Sequence, residues 1–75
     1  MARYFFHFHH IVDIIDQDGT EFPSLEEARG EAVVTAGEML RDVGRKFWNS
    51  PEWRIWVTDE AGETVCALKF SAERR

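Results

Sequence analysis

The segment from Pro23 to Pro51 constrains the fold more than any other part of the chain. Ser24 is followed three residues later by Glu27, the reciprocal capping pattern of a helix N-terminus, with Pro23 just outside it. At about 100° per residue, Leu25, Ala28, Ala32, Ala36, Met39, Leu40, Val43 and Phe47 fall on one stripe. The spacing predicts one long helix from Leu25 to about Lys46, with Arg45 and Lys46 at the negative end of its dipole. Trp48-Asn49-Ser50-Pro51 then ends it, because the residue before a proline avoids the α region. No second stretch has this periodicity. A lone amphipathic helix must bury its stripe on something else, and its small alanines let it lie close to a flat surface.

The flanking segments supply that surface. In Arg3-Tyr4-Phe5-Phe6-His7-Phe8-His9-His10, side chains alternate with period two. Tyr4, Phe6 and Phe8 form the face expected to meet the helix; Phe5, His7 and His9 form the other. Residues 11–15 make a second β-prone run, closed by Asp16-Gln17-Asp18-Gly19, a turn that calls for positive φ at Gly19. After the helix, residues 53–58 and 64–70 alternate around Asp59-Glu60-Ala61-Gly62-Glu63, a hairpin. Trp53, Ile55 and Val57 match Cys66, Leu68 and Phe70 on its inner face. The expected fold is α+β: an antiparallel sheet of three or four strands with one helix on one face, in the order β-β-α-β-β, spanning residues 1–75 as a single domain.

Composition narrows the function. With 75 residues and one cysteine, the chain has no internal disulfide framework, which suits a reducing cytoplasm. No apolar run is long enough to span a bilayer, and no signal peptide opens the sequence. The net charge of −5 argues against a strong DNA binder. Acidic residues gather around the helix (Glu21, Glu26, Glu27, Glu31, Glu38), whereas Arg3, Arg54, Lys69, Arg74 and Arg75 lie outside it.

The candidate chemistry is sparse. His7 and His9 leave one face of a strand about 7 Å apart, a spacing two zinc ligands can share. His10 points the other way, Cys66 belongs to the core face, and nothing in the spacing demands Asp13 or Asp59 as a further ligand. The expectation is a polar outer face without a metal or other cofactor. No nucleophile–base motif or glycine-rich phosphate loop is present, so an enzyme is not expected. By alternation the outer face carries Phe5, His7, His9, Arg54, Trp56, Ala67 and Lys69. Aromatic and basic residues there describe either a homodimer interface or a surface that stacks nucleic-acid bases. The reading adopted is a small non-catalytic cytoplasmic interaction module, homodimeric through this face; another protein partner is possible. The alternative is a nucleic-acid-associated regulator.

Arg29 falls within the helical stripe, where a charge needs a partner. Asp16 and Asp18 are the nearest carboxylates in sequence, which predicts a structural clamp between helix and turn. Gly30, Gly37 and Gly44 recur every seven residues on another side of the helix. They mark either coincidence or a groove for another backbone beside Val33 and Val34.

Three stretches also resemble a known family: Arg3 to His10, Asp16 to Ala32, and Trp53 to Phe70. The marks are Arg3-Tyr4-Phe5-Phe6, His9, Asp16 with Gly19-Thr20, the helix start from Pro23 to Ala32, and Val57-Thr58-Asp59 with Gly62. Together they resemble a family of small bacterial proteins of unknown function, widespread in rhizobia and related proteobacteria. The family often has an acidic residue where His10 stands. The resemblance implies a fold and a bacterial origin, and no activity.

Overall fold

A computed structural model describes residues 1–10, 12–44, 48 and 52–73. Its elements are β1 (Ala2–His10), β2 (Val12–Ile14), β3 (Thr20–Phe22), α1 (Leu25–Val43), β4 (Glu52–Thr58) and β5 (Thr64–Ser71). All strand pairing is antiparallel, in the order β2-β1-β4-β5, with β3 joined to β1. The α+β class and the single covering helix agree with the sequence reading. The strand count does not: five strands form where three or four were expected.

The extra strand is β3. Three residues are too few to show alternation, and Thr20-Glu21-Phe22 reads in sequence as the tail of a turn. What makes it a strand is the register Ala2↔Phe22, Arg3↔Glu21, Tyr4↔Thr20. The first half of β1 therefore pairs with β3, and its second half pairs with β2 through Phe8↔Ile14 and His9↔Asp13.

The registers sort the side chains as the alternation predicts. Phe6↔Val57 and Phe8↔Ile55 share the inner face, as do Val57↔Cys66, Ile55↔Leu68 and Trp53↔Phe70. Against that face lie Ala28, Ala32 and Ala36, at most 2 % exposed. Tyr4, Ala28, Ala32 and Val57 form the centre of the core, with Phe6, Phe22 and Leu68 packed around them. Phe6 and Phe8 are only half-buried. The alanines matter because a side chain of one carbon lets backbone and sheet approach, and a bulkier residue would overpack the contact.

Both helix ends follow local chemistry. The Ser24 hydroxyl accepts the Glu27 N–H at 3.2 Å. At the other end Gly44 adopts φ 42° as the C-cap of α1 and donates its N–H to the Leu40 carbonyl; the expected helix end near Lys46 lies outside the described residues. The expected roles of Arg45, Lys46 and Phe47, and of the Asn49-Ser50-Pro51 break, lie outside the described residues.

Arg29 corrects the sequence reading. It is exposed, and among the described residues no hydrogen bond or ion pair joins it to Asp16 or Asp18. At the margin of the stripe, its long side chain reaches water and needs no clamp. The arginine that holds the turn is Arg3, whose Nη1 donates to the carbonyls of Asp18 at 2.8 Å and Gly19 at 3.5 Å. Its other nitrogen, Nη2, pairs with Glu21 at 3.1 Å.

Gly19 is required twice over. Its φ of 71° is a conformation L side chains rarely adopt, and a Cβ there would stand 2.8 Å from Arg3 Cγ and from the Phe5 ring. Gly19→Ala is expected to destabilise the protein by about 1–3 kcal/mol, read as a lower urea midpoint with unchanged helix content. An unchanged midpoint would show that the 15–19 segment does not need this close approach.

Candidate functional site: the outer face of the sheet

The face away from α1 is laid out in rows by the strand registers. One row is Phe5–Thr58, the next His7–Trp56–Ala67, and the third Asp13–His9–Arg54–Lys69. The expected surface residues Phe5, His7, His9, Arg54, Trp56 and Lys69 thus share one face. They are not equally open. Lys69 is exposed, Phe5, His9, Arg54 and Trp56 are half-buried, and His7 is only 7 % exposed. His7 faces outward from the sheet, yet it is closed off from solvent.

What closes it is the segment 15–19, which joins β2 to β3. It acts as a strap along the β1 side of the face. Between the two short strands β1 has no strand opposite Phe6, and the Phe6 N–H is met instead by Asp16 Oδ2 at 3.1 Å. Asp16 Oδ1 accepts the N–H groups of Asp18 and Gly19, each at 3.1 Å. The Asp16 N–H donates to His7 Nδ1 at 3.0 Å, and His7 Nε2 lies 2.8 Å from Thr58 Oγ1. Gly19 rests on Arg3 and Phe5. Burial alone raises the Asp16 pKa. The bonds from Gly19, Phe6 and Asp18, together with His7 nearby, more than reverse this and hold it below its ordinary value.

The β4–β5 side of the face stays open. The Trp56 ring lies 5.2 Å from the His7 ring on one side, and the Arg54 guanidinium sits 5.1 Å from its centroid. Arg54 Nε is buried without a hydrogen-bond partner among the described residues. His9 Nδ1 meets Asp13 Oδ1 at 2.5 Å, an exposed pair that occupies one of the two imidazoles an H-x-H metal site would use. The other, His7, has both ring nitrogens engaged. Among the described residues, no group of three His, Cys, Asp or Glu side chains is placed to hold a metal ion. His10 belongs to the other face, stacked on Trp53 at 3.7 Å.

A second concavity, about 420 Å³, opens between α1 and β1 and is lined by Phe6, Asp16, Thr20, Phe22, Glu31 and Thr35. Within it the Thr35 hydroxyl donates to Glu31 Oε2 at 3.4 Å, one helical turn away. Among the described residues, nothing lies within 4 Å of where a Cβ would stand on Gly30 or Gly37, so no described backbone packs closely on either glycine.

Sequence reasoning missed Arg3, Asp16 as an acceptor of three N–H groups, and Thr58. The Asp16-x-Asp18-Gly19 spacing did carry a signal for Asp16, since an Asx turn places a carboxylate on amides two and three residues on. Arg3 and Thr58 stood out only among the marks of the family resemblance, and no local pattern pointed to their partners, which are distant along the chain.

These features define a small α+β domain with a half-open, aromatic and basic sheet face. The chain belongs to a family described as Domain of unknown function (DUF6894), whose model matches residues 3–71. No curated protein and no solved structure matches it. Among the described residues, no helix is long and apolar enough to cross a membrane.

A carboxylate whose folded pKa is lowered contributes stability above its unfolded pKa and loses it as pH falls through the folded value. Asp16→Ala is therefore expected to cost about 2–4 kcal/mol at neutral pH, since it leaves three amide donors without an acceptor. The deficit should shrink as acid protonates Asp16 in the parent protein. Urea midpoints taken from neutrality into the acid range check both parts.

Proposed function

We propose that the domain is a small non-catalytic interaction module of the cytoplasm that pairs with a second copy of itself through the outer sheet face. The observation that carries this reading is Trp56. It is a large aromatic in the middle row, half-exposed, between the closed His7 side and the small, exposed Ala67. A large ring in the middle row of the open face is what a two-fold axis through that row buries against its own copy. Burial of apolar area there is favourable by about 25 cal/mol per Å².

Charge supports the same occupant. Arg54 and Lys69 stand directly opposite each other on neighbouring strands, where like charges disfavour one another. Asp59, Glu60 and Glu63 lie at the opposite end of the same hairpin. A two-fold axis through Trp56, in the plane between the sheets and across the strands, sets the basic end of one copy toward the acidic end of the other. The formal charge of −5 favours this over a polyanion, whose binding rests on phosphate neutralisation.

Sedimentation equilibrium is the test. The parent protein should associate as a dimer, and Trp56→Ala should weaken the dimer by at least about thirty-fold, the scale of a central aromatic anchor, with an unchanged circular dichroism spectrum. A parent protein that stays monomeric at high concentration and binds single-stranded RNA with steep salt dependence would replace this reading by the nucleic-acid one, for which Arg54 stacked over Trp56 is the relevant geometry.

A further inference from the structure

We propose that His7 is a proton-operated latch on the 15–19 strap: neutral, its ring holds the Asp16 amide; protonated, it releases that bond. The effect on self-association rests on the outer-face dimer reading; the latch itself does not.

The tautomer follows from the bonding. A backbone N–H can only donate, so the Asp16 N–H at 3.0 Å makes Nδ1 of His7 the nitrogen with the free lone pair. The single ring hydrogen of the neutral imidazole is then on Nε2, donated to Thr58 Oγ1 at 2.8 Å. Both nitrogens are engaged and the ring is closed from water. A second proton can attach only at Nδ1. There it would point at the Asp16 N–H, donor against donor. The bond that ties the strap to the sheet and the protonated ring are mutually exclusive.

The charged surroundings sharpen the competition. From the strap, the Asp16 carboxylate attracts a proton to the ring, with Asp18 beyond it. On β1, Arg3 and His9 lie two residues or more to either side, His9 paired with Asp13 of β2. Glu60 accepts the Arg3 N–H from the β4–β5 turn. On β4, Arg54 beside Trp56 opposes a further positive charge, and Thr58 accepts the ring N–H. On β5, Lys69 stands across from Arg54. The carboxylate bonds of Asp16 to Phe6, Asp18 and Gly19 do not involve the ring. Asp16 also stays ionised to lower pH than an ordinary carboxylate.

Release has a consequence for the face. The strap covers Phe5 and His7 beside Trp56. Release leaves the Gly19 end of the strap on Phe5, held by Asp16 Oδ1 and Arg3, and places an imidazolium next to Trp56 and Arg54, at the centre of a surface that pairs with itself. Two cations brought together with their symmetry copies weaken that pairing.

The test is nitrogen and proton NMR of the full chain. Ring nitrogen shifts should report the Nε2–H tautomer of His7 at neutral pH. The protection factor of the Asp16 amide, corrected for intrinsic exchange, should fall at least about ten-fold over the range in which His7 titrates. His7→Asn keeps an acceptor near the Nδ1 position but cannot take the proton, so its Asp16 amide should stay protected over that range. An Nδ1–H tautomer, undiminished protection once His7 is charged, or the same pH response in His7→Asn overturns the latch. If His7→Asn fails to fold, the tautomer and protection factor of the parent protein decide alone. In sedimentation, the dimer should weaken over the same range. A dimer indifferent to His7 titration overturns the regulatory consequence. A chain monomeric at every pH overturns the dimer reading, while the amide measurement still decides the latch.

Discussion

The interaction on which the rest depends is the Asp16 carboxylate at the edge of β1. A nine-residue strand flanked on one side by two three-residue strands has a gap between them, and a backbone N–H in a gap needs an acceptor. Asp16 supplies it to Phe6 and turns its other oxygen on its own loop. One side chain thereby lets the chain leave the edge after β2, cross beside the outer face and return as β3. Arg3 fixes the same loop from β1, through the carbonyls of Asp18 and Gly19. Without this pair of anchors β3 would have no defined register, since three residues carry too little pattern to select one.

The opposite face depends on a different constraint, the thickness of the helix–sheet layer. Ala28, Ala32 and Ala36 bring α1 against Val57 and Tyr4, and the larger Leu25, Met39, Leu40 and Val43 close the ends of the contact while only half-buried. A single helix does not cover such a sheet completely. Ile14 and Val12 on β2 remain exposed, as do Val33 and Val34 on the far side of α1. A chain of this size buries a smaller share of its surface than a larger domain does, so its solvent-facing apolar groups are expected in number.

The two faces meet different chemistry as a result. The inner face is mostly apolar, with the Tyr4 hydroxyl, Thr20 opposite it and the His10 ring on Trp53 among its polar groups. The outer face is divided along its length. Toward β1 it is sealed by the strap over His7; toward β5 it is open, aromatic and basic. The family assignment names no activity, and the concavity beside α1 is lined by carboxylates, threonines and phenylalanines. The outer face is where the proposed self-pairing is placed, and His7 joins that face to the strap through its bond from the Asp16 amide.

The sequence by itself determined the helix start, because Ser24 and Glu27 act within one turn. It determined the inner and outer sets of β1, β4 and β5, because alternation is a local property of extended backbone. It also determined the turn at Gly19, which needs a residue free of Cβ. Tertiary structure alone decided the rest. Whether Thr20 to Phe22 is a strand depends on β1 lying beside it, and whether Arg29 needs a partner depends on how far the stripe edge sits from the sheet. His7 could be assigned a face from its position in the alternation but not an environment. Its burial and its tautomer come from Asp16 nine residues away and Thr58 across the sheet, and only the folded chain brings those atoms together.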